Sequence, residues 1–277
     1  MIKIIIKTLS VIFIFLIIAV IYLSLFGFQT EKFNNLITDN ILKNNKKIDL
    51  KLGKVSYLLN PYDLTINIKT KNPQILLKGS KLRIKKLKTN ISLKSFIYSQ
   101  FLVDDLEINR MEIKLDDLIS LARLFQNSPQ LSILKKVTKG GFITANIKLN
   151  FDEVGNIKEN YKIVGFAENL KFNFFNQYKV HNFNFNFDIT KNSYSFKKID
   201  TEINKINLSS PLIEVKKDKN LLFAKGQILN DTKKVNEKEL GLLLAIFFKD
   251  INFKKIKYSS INNFSFNINK KLKLNDL

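Results

Sequence analysis

Phenylalanine recurs at every second position in two neighbouring stretches of this chain. The first holds Phe172 and Phe174; the second holds Phe183, Phe185 and Phe187, with Ile189 continuing the series. A period of two belongs to a β-strand, so each series lies along one face of its strand. Leu170 joins the first, and the opposite face carries Asn173, Asn182, Asn184, Asn186 and Asp188. Rows of benzyl rings move no protons and carry no charge. What they do is shelter hydrocarbon, either the protein's own core or a lipid tail. Core burial gains about 1.5–3 kcal/mol per large side chain. Exposing a 16-carbon acyl chain to water costs on the order of 12 kcal/mol at ~0.8 kcal/mol per methylene. The six residues Phe172, Phe174, Phe183, Phe185, Phe187 and Ile189 are the candidate lipid-contacting positions.

Covalent chemistry has no comparable signature. The chain contains no G-x-S-x-G, P-loop, H-E-x-x-H or dinucleotide fingerprint. His181 is the single histidine and sits in strand-like sequence. The acid pairs Asp116-Asp117 and Asp152-Glu153 are better explained as a helix start and a hairpin loop. With no cysteine there is no disulfide, thiolate site or thiol nucleophile. The expectation is a protein that is not an enzyme, with no catalytic residue, metal or cofactor.

The elements that position the phenylalanines begin with an apolar run from Thr8 to Phe28, free of charge over its whole length. Its roughly 31 Å as a helix matches a bilayer's hydrocarbon core. A signal peptide with Lys3 and Lys7 as its basic start is the rival reading. The run is long for one, and no A-x-A-like cleavage site follows it. The expectation is an uncleaved anchor, embedded through Val11, Phe13, Phe15, Leu16, Ile18, Val20, Leu23 and Phe26. Lysines on the two sides nearly balance; the terminal amine and the acids Glu31 and Asp39 tip the short N-terminus toward the cytoplasm.

After the anchor, Thr30 is expected to cap an amphipathic helix carrying Phe33, Leu36, Ile37 and Ile41. Strand alternation follows in Ile48–Leu52, Leu64–Ile68 and Leu82–Leu93. The last stretch changes phase, from Leu82 and Ile84 to Leu87, Ile91 and Leu93, which predicts a β-bulge near Lys85-Lys86. Ile108, Met111, Ile113 and Leu115 slip in the same way. The four X-Pro sites, Asn60-Pro61, Asn72-Pro73, Ser128-Pro129 and Ser210-Pro211, are expected to start turns. Helical spacing covers Asp116–Phe125 and Leu131–Val137. Gly140-Gly141 returns the chain to strand, and Asp152–Asn156 reads as a hairpin loop. Leu240 to Phe248 is apolar throughout, too short to span a bilayer, and expected to be a buried helix.

The predicted fold is mainly β with a few helices: a transmembrane helix, then a long, curved antiparallel sheet forming an apolar groove, β-taco-like. Domain bounds follow as 1–28 for the anchor with its cytoplasmic start, 29–45 for the juxtamembrane helix, and 46–277 for the β-rich groove domain. Net charge is +22, from 46 basic and 24 acidic residues. Nucleic acid is not the expected partner, because only Arg83, Arg110 and Arg123 are arginines and the lysines are spread along the chain. An A/T-rich coding sequence or attraction to anionic lipid explains the lysines instead.

Several stretches taken in order resemble the N-terminal region of the AsmA-like family, relatives of TamB and of chorein-type bridge-like lipid-transfer proteins. The anchor runs into a short helix; then come VSYLLNPYDLTINI (Val55 to Ile68), NPQILLKGSKLRIKKLKTNISL (Asn72 to Leu93), FLVDDLEINRMEIKLDDL (Phe101 to Leu118) and the strand–hairpin–strand of Gly140 to Gly165. The resemblance implies a bacterial inner-membrane, single-pass protein with its bulk in the periplasm. It further implies a β-groove carrying phospholipid for outer-membrane homeostasis. Partners would be phospholipid, the inner membrane and other envelope proteins. Bridge-forming members are much longer, so this chain is expected to be either part of a longer protein or a short relative working with partners. The competing expectation is a tethered scaffold for envelope assembly, its sheet closed over a dry core. An outer-membrane barrel fits the alternation less well, given the helical interruptions and the missing cleavage site.

Overall fold

A computed structural model describes residues 2–32, 34–35, 38, 48–77, 80–93, 103–125, 128–152, 156–174, 177–204, 206–218, 221–235, 256–269 and 274–275. The expected juxtamembrane helix residues Phe33, Leu36, Ile37 and Ile41, and the apolar run Leu240 to Phe248, lie outside the described residues. Among those described, the chain is mainly β, with three helices and fifteen strands. The strands form one hydrogen-bonded sheet: the first lies beside the third, the third beside the fourth and the fourth beside the sixth, from the sixth to the fifteenth they follow in chain order, and the second pairs with the fifth and the fifth with the sixth. The first and last strands of this order are not paired with each other among the described residues, so the sheet is not closed.

Two compact units divide the chain. The anchor unit comprises Met1–Met111 and Asn146–Tyr161; the aromatic unit comprises Glu112–Ala145 and Lys162–Leu277. Strands β7 (Val103–Lys114) and β8 (Thr138–Asn150) contribute to both.

In the anchor unit, α1 covers Ile2–Leu25. Gly27 ends it in the left-handed region at φ 63°, and the amides of Phe26 and Gly27 both donate to the Tyr22 carbonyl. A side chain at 27 is doubly excluded: its Cβ would stand 2.3 Å from the Tyr57 carbonyl oxygen. The apolar run therefore leaves the helix before its end. Phe28 opens β1 (Phe28–Thr30), and its ring stacks on Tyr57 at 4.9 Å.

Strand β1 pairs with β3 (Val55–Asn60), β3 with β4 (Thr65–Lys71), and β4 with the second half of β6 (Ser80–Ser92). The first half of β6 pairs with β5 (Gln74–Leu77), which pairs with β2 (Ile48–Lys51). The phase slip expected at Lys85-Lys86 has its partner here. Opposite it, Asn72 takes φ 50° and donates its amide to the Lys85 carbonyl, and Pro73 is fully buried. Lys71 pairs with Lys86 and Gln74 with Arg83, so the count is equal on both strands and neither holds the extra residue of the expected β-bulge; Leu82, Ile84 and Ile91 are nevertheless all buried across the irregularity.

Asn72-Pro73 is thus a joint between two strands that share one partner and makes no turn. Proline fits because the ladder donor it lacks falls in the joint. The other X-Pro sites divide similarly. Asn60-Pro61 starts the β3–β4 turn as expected. Ser128 caps a helix that Pro129 begins, accepting the Leu131 amide at 3.3 Å. Ser210-Pro211 lies inside β12 (Ile206–Asp218), next to a register shift against β13.

The aromatic unit opens with α2 (Leu115–Phe125) and α3 (Pro129–Val137). Asp116 and Asp117 lie in the first turn of α2, and Lys135 and Lys136 in the last turn of α3, each suited to its end of a helix dipole. Lys135 also binds the Asp116 carbonyl at 3.0 Å. Leu115 and Ile119 of α2 and Val137 of α3 are buried. A meander then runs through β8, β9 (Lys162–Phe174), β10 (Tyr178–Ile189), β11 (Ser193–Ile203), β12, β13 (Leu221–Val235), β14 (Ile256–Asn269) and β15 (Leu274–Asn275).

Candidate functional site

Strands β9 and β10 bring the two phenylalanine series together. Phe172 lies opposite Val180, Phe183 opposite Leu170, Phe187 opposite Gly165 and Ile189 opposite Ile163. Directly paired residues share a face, so Phe172, Phe174, Phe183, Phe185, Phe187 and Ile189 all stand on one side of the sheet. Their rings form a connected chain. Phe174 stacks on Phe172 at 5.8 Å, Phe172 meets Phe183 at 6.3 Å, Phe183 meets Phe185 at 4.9 Å, and Phe185 meets Phe187 at 6.2 Å. Spacings of this kind favour offset and edge contacts, each worth about 0.5–1.5 kcal/mol beyond burial.

Keeping Leu170 and Ala167, or Val180 and Phe183, on the same face requires an extra residue between them. Asn169 in β9 and Asn182 in β10 supply it, both in the left-handed region at φ 51°. Asparagine tolerates that conformation better than other residues with a side chain. Asn184 locks the pair: its Oδ1 accepts the Asn169 amide at 2.7 Å, and its Nδ2 donates to the Asn182 carbonyl at 2.8 Å. Lys198 at φ 51° repeats the device in β11, against the same Asn184–Asn186 segment. The asparagines that read as a uniform polar face are in part the hardware of these bulges.

Small residues underlie one end of the row: Ala167 lies opposite Phe185 and Gly165 opposite Phe187, whereas Phe183 faces Leu170 and Phe172 faces Val180. Ala167 and Ala145 are buried, and a Cβ on Gly165 would lie 2.1 Å from the Thr144 carbonyl oxygen and 2.7 Å from the Phe187 ring. Phe187 therefore settles over a glycine and is buried, at 9 % exposure. Phe172, Phe174, Phe183, Phe185 and Ile189 stay half-buried. Two further features were not singled out from sequence. Phe196 of β11 meets Phe185 edge-on at 5.6 Å, widening the row to three strands. Phe264 and Phe266 of β14 stack at 5.6 Å, with Phe264 seated over Gly226. Tyr194 and Phe196 share the period-two signal but belong to a shorter run; Gly and Ala leave no apolar pattern at all.

The nearby ion pairs lie on the opposite face of the sheet. Lys162 pairs with Asp188 at 3.4 Å and Lys225 with Glu214 at 3.1 Å, both on solvent-accessible side chains. His181 is half-buried in β10 opposite Glu202, and its carbonyl accepts the Thr201 hydroxyl at 3.3 Å. The chemistry available to the ring row is non-specific apolar contact.

The expected anchor residues form a second apolar surface. Val11, Phe13, Phe15, Leu16, Ile18 and Val20 on α1, and Phe26 just beyond it, are exposed, and Leu23 is half-buried. Ile4–Leu25 is long and apolar enough to cross a membrane, and among the described residues none of its side chains is fully buried.

Compared with family models, with curated proteins and with solved structures, the chain matches none.

Proposed function

We propose that this is a membrane-tethered protein that binds or conducts phospholipid, with α1 in the bilayer and acyl chains lying along the phenylalanine row of β9 to β11. The observation that carries the reading is the half-buried, connected set Phe172, Phe174, Phe183 and Phe185, whose rings touch in series along one face of the sheet. A row built only as core would be expected to bury its largest side chains, because each gains most when fully dry. By resemblance to the AsmA-like family, the membrane is the bacterial inner membrane, the β-rich part is periplasmic, and the sheet serves as an apolar groove in outer-membrane lipid homeostasis and envelope biogenesis.

The test is a lipid inventory of the full chain, solubilised in a lipid-free amphipathic polymer and extracted for mass spectrometry. It is repeated for the double variant Phe174→Asp, Phe185→Asp. Stoichiometric phospholipid in the wild type, lost in a double variant with an unchanged circular dichroism spectrum, supports the proposal. A wild-type protein that retains no more lipid than an isolated transmembrane helix sinks it and favours the tethered scaffold.

A further inference from the structure

The anchor unit carries few large apolar side chains in water. Beyond α1 they are Phe26 at 73 %, Phe28 at 42 %, Tyr62 at 96 %, Leu64 at 46 % and Ile157 at 54 % exposure, among the described residues. All five lie on one rim of the unit, the rim from which α1 emerges.

Strand register places them there. Phe28 is opposite Tyr57, and β3 runs antiparallel to β1. Residues of β3 beyond Tyr57 therefore extend back beside the end of α1, with Leu58 against Gly27. Asn60 stands about 10 Å past the Phe28–Tyr57 row at ~3.3 Å per residue. Tyr62 and Leu64 follow in the turn. The Leu93 amide donates to the Leu64 carbonyl at 2.7 Å, so β6 ends on the same rim. Strand β7 begins there, with Asp105 against Thr89 and Asn90. The Phe151 amide donates to the Asp104 carbonyl, and Phe151 bridges to Ile157.

The turn itself is built to display its apolar residues. Asn60 Oδ1 accepts the Tyr62 amide at 3.1 Å, and Asn60 Nδ2 donates to the Asp63 carboxylate at 2.7 Å. Leu64 sits at φ 49°, where glycine would cost less. A leucine there is strained and gains little burial within the chain. Asp152, near Ile157, is likewise engaged: its carboxylate accepts from the Asn156 amide and side chain at 2.8 and 3.1 Å. Carboxylates already hydrogen-bonded resist less when drawn to a headgroup layer.

We infer that this rim, through Tyr62, Leu64 and Ile157, seats in the interfacial layer of the same bilayer that α1 crosses. Tyrosine is favoured at that depth, where its ring meets acyl chains and its hydroxyl meets water. The inference rests on the membrane reading of α1, and the test separates the two.

Because the chain has no cysteine, single cysteines can be placed at Tyr62, Leu64, Ile157, Leu16 and Lys54 and labelled with an environment-sensitive fluorophore. The full chain is reconstituted in phosphatidylcholine vesicles carrying either shallow or deep nitroxide lipids. The expected result is quenching at 62, 64 and 157 by the shallow nitroxide, several-fold above the Lys54 control, with Leu16 quenched by the deep one. Leu16 quenched while 62, 64 and 157 match Lys54 overturns the rim inference and leaves the anchor standing. Leu16 unquenched overturns the anchor, and the inference with it.

Discussion

The two units use the same alternating strand pattern to opposite ends. In the anchor unit the inward positions are aliphatic and dry: Val55, Leu82, Ile84 and Ile91 are all below 7 % exposure. In the aromatic unit the ring face is phenylalanine-rich, and of its five expected phenylalanines only Phe187, over Gly165, is buried. A period of two says which side chains share a face; it does not say whether that face is filled. Filling depends on the volume of what lies beneath and beside. The one ring that lies over a glycine sinks into the sheet; Phe185, Phe183 and Phe172, which face Ala167, Leu170 and Val180, stand proud.

Charge substitution breaks this comparison most sharply. Ile91→Asp places an unpaired carboxylate at a fully dry position, a cost of several kcal/mol against a total stability of about 5–15. Loss of the cooperative unfolding transition is expected by denaturant titration. Phe185→Asp, at a half-buried position, is expected to keep that transition. Equal collapse in both variants would erase the distinction between the units. A smaller effect is expected from Gly165→Ala, whose added methyl would stand 2.1 Å from the Thr144 carbonyl oxygen and 2.7 Å from the Phe187 ring, so that both must shift. Overpacking of this kind costs about 1–3 kcal/mol, read as a lowered denaturation midpoint. Smallest is Lys225→Ala, which removes an accessible ion pair with Glu214 and should shift stability by no more than about 1 kcal/mol. A larger loss there would mean that the polar face also holds the sheet.

Much of the fold is written in local pattern. The anchor run, the strands around Phe172 to Ile189, the two helices after Leu115 and the phase slip at Lys85-Lys86 are each visible in a dozen residues, because side-chain parity is a local property. What escapes is non-local. Nothing near Lys85 says that β6 changes partner there, or that Asn72-Pro73 is the matching joint on the other strand. Asn169, Asn182 and Asn184 look alike in sequence, yet two of them form bulges and the third ties those bulges together across strands. At the candidate site, the alternating phenylalanines were legible, whereas Phe196 as neighbour of Phe185, and Gly165 as floor of Phe187, depend on pairings that only the register supplies.

Site-specific photocrosslinking tests the central claim most directly. A photoreactive phenylalanine analogue is placed at Phe185 on the ring face, and separately at Asn186 on the opposite face, in the full chain expressed in bacteria with labelled phospholipid. Lipid adducts at 185 with none above background at 186 are the predicted result. Equal labelling at the two positions, or none at 185, would contradict the account and make the phenylalanine row a packing surface alone.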